Sequence, residues 1–510
     1  MKQPSEQARY LINQLQNCVT EEKDLFGRVK RIDVQQPVEL INQIVALKEW
    51  PAVVGLLPCV VSLHREIAKA AAAGIDVLLH DMNLPLLLYL SDRLRGGYYT
   101  VPINLVRWNC AQFADLERAL SRNISTTVAG LAAFHSNGFV REAATRYLST
   151  IHDGSELPYL LIRLSDWVKQ VRVVAERAVE KRIGSNMLEP FVDNLALLER
   201  IRQKERNEPG SKRLELIDRV HATLQKTQNK KLLLDGLLNK NYMVRRICLR
   251  LLKESKSSNL AEIIDRIIKD KNIINRKAAI ELSQGLPPYD RLALLRKYIK
   301  DKAPSVRRMA LEALCDISDI SGRGYLEPAL LDKSPIVREF ARWRLKNCGI
   351  EIDFRQIYIS ETEQNRNINT LPNAIAGLAE VGTIADAQMV LPFIDHEALC
   401  VRTAAVRALV RLNAEAYIEQ FLRMLNDKNP GLSNAAQAGL ERTINVVEID
   451  SLFALLTATS FLHVKRNVLH LLDGATKWER IGYLLLAVSF DDAQVQNEAM
   501  KHIENWESQY

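Results

Sequence analysis

Asp301-Lys-Ala-Pro-Ser-Val-Arg-Arg-Met-Ala-Leu-Glu-Ala-Leu314 is the stretch whose reading decides the fold. Asp301 to Pro304 carry turn and cap chemistry: a carboxylate that accepts from free backbone N–H groups, then a Pro suited to a helix entrance. Val306, Ala310 and Leu314 follow at i, i+4 and i+8, which is one stripe of an α-helix. The stretch therefore predicts a tight turn leading into an amphipathic helix.

The same phrase recurs down the chain. Taking Val306 as an anchor, its counterparts are Val140, Val171, Val244, Asn275, Val337, Thr370, Val401, Leu432, Val464 and Val495. Apart from one longer gap, between Val171 and Val244, the spacing is 31 to 33. That gap reads as two periods plus an insertion, supplied by the charged loop Gln203–Arg213. Segment 351–370 keeps the register and reads as a worn repeat. Four residues after the anchor stands a small residue, as in Ala144, Ala310 and Ala405, with Val468 the largest, and eight after stands an aliphatic, with Ser283 the exception. A second apolar helix, such as Ile384–Ile394, lies between anchored helices. Each period is then a helical hairpin that cannot bury its apolar face alone, so stacking the hairpins builds the core.

Asp-Lys-x-x-x-Val-Arg-x-x-Ala-x-x-x-Leu resembles the second-helix signature of HEAT repeats, in particular the short bacterial, phycobilisome-lyase-like kind. The resemblance covers roughly residues 131–510. It implies an all-α fold, a right-handed α-solenoid of stacked helical hairpins with a period near 31. The family includes scaffolds, adaptors, transport factors, chromophore-lyase subunits and a DNA-glycosylase branch, so the fold leaves the function open. The expected organisation has three parts. Residues 1–130 form an N-terminal helical segment of degenerate repeats or a cap, with helices over Val38–Trp50, Val60–Ala73 and Leu84–Leu90 and a loop over Arg95–Pro102. Residues 131–350 are HEAT-like repeats with the charged loop near 203–213. Residues 351–510 are HEAT-like repeats, the first one degenerate, ending in a C-terminal cap.

Composition narrows the class. The chain has 510 residues, 47% hydrophobic and 25% charged, too long for one ordinary core and normal for a folded protein. No stretch reaches the roughly 18 continuous apolar residues of a membrane span. The polar start, Met1 to Tyr10, lacks a signal-peptide apolar region. The seven cysteines are scattered and odd in number, which points to reduced thiols in the cytoplasm. Cys110 and Cys248 stand where sister units carry Ala, so both are expected to be small core residues. Residues 201–350 hold 33 Lys and Arg against 18 Asp and Glu, a net +15, while the whole chain is only +8. The middle is basic and the flanks are mildly acidic.

Two sets of residues stand out. The first follows the anchor: Arg141, Arg172, Arg245, Arg276, Arg307, Arg338 and Arg402. An Asp stands six residues before several of them, as in Asp270, Asp301 and Asp332, and Asp395 stands seven before Arg402. A regular Asp/Arg pair suggests a ladder tying turns to helices, a structural role that the family resemblance also implies. Ser433 and Gln496 break it near the C-terminus.

The second set comes from a helical wheel. At about 3.6 residues per turn, positions +2 and +6 from the anchor fall on the side opposite the core stripe. In a helical solenoid the second helices line the concave face, so these positions are what a partner would meet. Several pairs, such as Arg308/Glu312, are opposite charges that satisfy each other. Arg246/Arg250 are like charges one turn apart, with Lys253 following. Trp343 is an aromatic opposite the core stripe, of the kind enriched at binding hot spots, unless it packs under 351–364. Arg246, Arg250, Lys253, Trp343 and Arg407 are the candidate partner-binding residues.

There is no Gly-rich phosphate loop, H-E-x-x-H or G-x-S-x-G. No catalytic, cofactor-binding or metal-ligating set is expected. The reading is a non-catalytic protein-binding scaffold or adaptor, the basic middle favouring an acidic protein partner. The alternatives are nucleic-acid binding through 201–350 and an accessory subunit of a lyase or other enzyme. No membrane partner is expected.

Overall fold

The computed structural model describes residues 3–19, 33–95, 106–184, 187–204, 211–255, 259–317, 322–347, 352–364, 367–474, 477–490 and 492–509. All regular elements among the described residues are α-helices or short 3₁₀ turns. The chain divides into two compact units, 1–275 and 276–510.

The second unit shows why the sequence folds this way. Asp301 Oδ1 accepts from Ala303 N at 2.7 Å, and the helix Pro304–Ile317 begins directly after that turn. Asp332 does the same for Ser334 N at 2.7 Å, ahead of Pro335–Asn347. The carboxylate takes up a donor that the turn leaves free, and Pro starts the helix without wasting one. Val306, Ala310 and Leu314 are fully buried. Successive anchored helices pack side by side: Pro304–Ile317 on Pro335–Asn347, then Leu371–Val381, Leu399–Asn413, Pro430–Arg442, Leu462–Leu472 and Ala493–Gln509. In the segment read as a worn repeat, Phe354–Gln364 packs on Leu371–Val381. One core runs through these layers from Leu311 to Ala499.

The first unit repeats the plan with departures. The hairpins Thr126–Ala132/Gly138–Ser149 and Leu157–Arg163/Lys169–Gly184 are regular. Before them, the expected helix Val60–Ala73 is broken. Val53–Val60 ends, Ser62 Oγ accepts from His64 N at 3.1 Å, and Arg65–Leu78 starts afresh. The expected helix Val38–Trp50 spans Gln35–Ala46 instead and stops before Lys48, whose φ of 54° is left-handed and ends a helical run. Leu84–Arg95 is a helix, and the expected loop beyond it lies mostly outside the described residues. Cys248 is buried, but Cys110 is exposed: it closes the short helix Val106–Cys110, whose buried residue is Trp108.

The long gap is filled differently from the expected loop. Residues 203–204 and 212–213 are helical, and only 205–210 lie outside the described residues. The extra residues build two helices, Glu189–Asp193 and Leu195–Lys204, before Lys212–Leu224. Arg213, Ile217 and His221 stand one period before Val244, Cys248 and Leu252. Arg213 thus falls at the anchor and His221 where most other repeats carry an aliphatic, which hid this unit from a reading based on hydrophobic period.

Candidate functional site

The anchor-following arginines come first, because they define what is not free. Arg307 donates from Nη1 to its own turn, at Asp301 O (2.8 Å) and Lys302 O (3.2 Å). Its Nε and Nη2 then reach forward to the carboxylate of Asp332, at 2.8 and 2.6 Å. Arg276 grips Asp301 and Arg245 grips Asp270 in the same bidentate way. Arg141 grips Asp166 in the first unit, with Arg163 also on that carboxylate. Arg141 and Arg245 bond carbonyls of their own turns as Arg307 does. The carboxylate each arginine grips therefore belongs to the following turn, and not to the turn just before it. Burial raises the carboxyls of Asp270 and Asp301, but the hydrogen bonds from Arg245 and Arg276, the capped N–H groups and the arginine charges outweigh it and hold both below the ordinary value.

Two later rungs depart from this pattern, at Arg338, whose following turn lacks the Asp, and at Arg402, whose following turn keeps one in Asp427. Arg338 donates to Asp332 O, but its carboxylate partner is Glu380, shared with Arg342 at 2.8 Å. Arg402 donates to His396 O and Glu397 O, while Asp395 pairs with Arg423. Toward the C-terminus the contacts turn mostly neutral. Asn467 Nδ2 donates to Ser433 Oγ and Gln496 Nε2 to Phe490 O, and one cation, Lys465, meets Asp492 at 3.2 Å.

The structure separates the wheel's candidates. In the first unit, Arg250 donates from Nη2 to Glu199 Oε2 at 2.7 Å. Glu199 lies on the inserted helix Leu195–Lys204, which packs on Tyr242–Glu254 and covers the +6 position that an uninterrupted array would leave open. Burial pushes the Glu199 carboxyl up, but Arg250's hydrogen bond and charge outweigh it and hold it below its usual value. Arg202 completes a small network by pairing with Asp218 at 3.0 Å and meeting His221 Nδ1 at 3.2 Å. Burial, with the charges of Arg202 and Arg250, pushes the His221 imidazole down to about 4. Arg250 is thus a bound cation, while Arg246 and Lys253 are exposed on the same helix.

In the second unit the face stays open. Trp343 is 53% exposed, so it does not lie under 351–364; its ring sits 5.9 Å from Phe340. Arg308 covers the Phe340 ring at 5.5 Å and pairs with Glu312 at 3.5 Å. With the exposed Ile336, these residues line a hollow of about 370 Å³ between consecutive second helices. A second hollow, about 560 Å³, lies between Leu371–Val381 and Leu399–Asn413. Its floor is made of small side chains, including Ala376, Ala404 and Ala408. Lys333, Arg407 and Arg411 stand around it, all exposed, and no ion pair among the described residues engages them. The acid at this hollow, Glu380, is already held by two arginines. Arg411 also lines the adjoining hollow beside the exposed Ile384.

Lys333 and Arg411 were not singled out from sequence. Arg411 stands one helical turn beyond Arg407 on the same side of the wheel, so carrying the wheel that turn further would have found it. Lys333 lies in a turn, where a wheel has no reach. Among the described residues, no group of three His, Cys, Asp or Glu is placed to hold a metal ion.

Residues 260–346 match the family of HEAT repeats. No curated protein matches the chain. Among solved structures, the C-terminal fragment of the Chaetomium thermophilum cohesin loader SCC2 is 12% identical with a TM-score of 0.34, over 94% of this chain and 43% of that one. Yeast importin-beta (Kap95p) is 13% identical with a TM-score of 0.26, over 98% and 84%. The karyopherin Kap121p bound to the SUMO protease Ulp1p is 13% identical with a TM-score of 0.33, over 96% and 60%. The chain spans less than half the length of the cohesin-loader fragment, and none of these likenesses bears on what it binds.

Proposed function

We propose that this HEAT-repeat chain is a non-catalytic protein-binding scaffold or adaptor of the cytoplasm, which takes an acidic segment of its partner on the open second-helix face of the 276–510 unit. The observation that carries this reading is the pairing of cations with a low, small-residue floor. No ion pair among the described residues engages Lys333, Arg407 or Arg411, and the alanines between them let a bound chain come close. Trp343 and Ile336 supply an exposed apolar anchor on the same helix layer, the kind of side chain that contributes most to binding when it is fully desolvated. The cations steer an acidic partner and set its register more than they set its affinity.

The test is affinity purification with quantitative mass spectrometry, comparing the wild type with Arg407→Glu/Arg411→Glu and with Trp343→Ala. All these positions are exposed, so thermal melting should be unchanged. The reading expects one stoichiometric partner, with an acidic segment, to be lost from both variants. A partner retained at wild-type yield by both would sink it. If that partner is an enzyme, the chain is an accessory subunit.

Nucleic-acid binding has one observation in its favour. Lys240 and Lys271 in the first unit, and Lys302 and Lys333 in the second, are exposed at the same place in successive turns of the basic segment 201–350. Fluorescence anisotropy with a labelled duplex at about 50 mM salt tests it, since phosphate contacts are strongest there. No binding at that salt removes it.

A further inference from the structure

The first unit carries a groove that the repeat pattern does not account for. The helix Leu84–Arg95 buries Leu87, Leu90 and Leu94 against its unit. Its other side carries a second apolar stripe, Leu84, Pro85, Leu88 and Tyr89, which lines an open groove of about 850 Å³. The facing wall is the inserted helix, through Ala196 and Arg200, together with Tyr242 and Met243 at the start of the next second helix. The groove therefore exists because of the insertion, and a regular repeat would not form it.

The geometry points to this groove as a docking site for an amphipathic helix with an acidic outer flank, on a protein partner. Three observations carry the inference. The lined stripe runs from Leu84 to Arg93, about 15 Å or three helical turns, which matches a helical ligand reading i, i+4 and i+7. The walls are mostly helical, and at the two helix starts that line the groove side chains cap free N–H groups, Asn83 that of Leu86 and Asn241 that of Met243. A helical ligand brings its own hydrogen bonds into such a groove, whereas an extended strand would bury N–H groups with no sheet edge to meet them. The charge is complementary to an acid: Glu199 is occupied by Arg250, and no ion pair among the described residues engages Arg93 or Arg200 at the rim, or Arg246 one turn beyond Tyr242. Among the described residues, Asp92 is the one acid left at the rim. This site lies apart from Trp343 and Arg407 in sequence and unit, so it stands or falls independently of the proposed function.

The test is to pan a phage library of random peptides, each long enough for four helical turns, on the full chain and sequence the enriched pool. The wild type is compared with Leu88→Glu/Tyr242→Ala, with the rim reversal Arg93→Glu/Arg200→Glu, and with Arg407→Glu/Arg411→Glu. Expected are peptides with helical apolar spacing and Asp or Glu on the outer flank. They should be depleted at least tenfold on the groove variant and unaffected by the Arg407/Arg411 change. The rim reversal touches only partly or fully exposed side chains, and it should shift enrichment toward Lys-rich helices even if the groove variant fails to fold. Three outcomes overturn the inference. One is a pool with no acidic helical pattern. The second is a pool indifferent to the groove and rim variants. The third is sedimentation showing that the wild type dimerises through this groove, which would make a second copy its occupant.

Discussion

At the scale of single residues, Arg307 concentrates what holds this fold. One guanidinium bonds two carbonyls of its own turn and both oxygens of the next Asp, with the arginine side chain 5% exposed. Removing the arginine leaves the part-buried Asp332 carboxylate with its Ser334 N–H but without its charge partner, and takes a donor from two carbonyls. Arg307→Ala should therefore cost about 3–5 kcal/mol in denaturant unfolding. Arg307→Lys should recover little of it, because an ammonium cannot reproduce the planar fork. A loss below about 1 kcal/mol would show that the rungs contribute little to stability. His221 works in the opposite direction. Its folded-state value, about 4, lies below the ordinary histidine value of about 6.5, so the unfolded chain binds the proton more readily. Stability then falls as the pH drops from about 6.5 toward 4 and levels off below that. His221→Leu removes this dependence. Between pH 7 and pH 5 the wild type should lose about 2 kcal/mol more than the variant, by urea unfolding at each pH. Equal losses would mean that the imidazole is solvated in the fold.

At the scale of elements, close packing between consecutive helices sets the tolerance to change. Ala310 is fully buried between its neighbours, and Ala310→Leu should overpack the layer by roughly 1–3 kcal/mol. Gly377 has less room still. A Cβ there would run into the ring of Tyr358, which cannot swing away because its hydroxyl donates to Leu330 O at 3.0 Å and accepts from Arg342 at 3.0 Å. In an open helix Gly→Ala stabilises by up to about 1 kcal/mol. Here Gly377→Ala should lower the melting temperature by several degrees, and a rise would mean that the Phe354–Gln364 helix shifts freely. The spacing of small residues announced Ala310. Gly377 did not stand out, since its reason is a tyrosine on the preceding helix that meets it only after folding.

At the scale of the whole molecule, the two candidate surfaces lie in different units, and each combines an apolar floor with arginines that no ion pair among the described residues engages. A partner held by a few cations is sensitive to salt but not dominated by it. Its affinity should fall by about tenfold or less between about 50 and 300 mM salt, because screening removes steering and rim attraction while leaving the apolar contact. A nucleic acid gripped by six or more lysines would lose about a thousandfold or more over a similar range. A salt titration of the captured partner, by surface plasmon resonance, separates these cases, and a steep slope would move the function to the basic turns.

The hairpin plan and the turn chemistry of Asp301 and Asp332 were legible in the sequence alone, as was the buried stripe of Val306, Ala310 and Leu314. All are local and periodic: a carboxylate two residues from the N–H it caps, and apolar groups one turn apart. The tertiary structure alone decided which cations are free. Arg250 and Arg407 occupy the same wheel position, yet one is bound to Glu199, while no ion pair among the described residues engages the other, the acid at its hollow, Glu380, being held by Arg338 and Arg342. The difference is an inserted helix far upstream of Arg250, and no wheel drawn on a single helix can see it. The same helix builds the groove beside Leu84–Arg95. Which arginine finds which acid, Arg307 with Asp332 or Arg250 with Glu199, is set by which layers stack. Stacking is a property of the array and not of any one repeat.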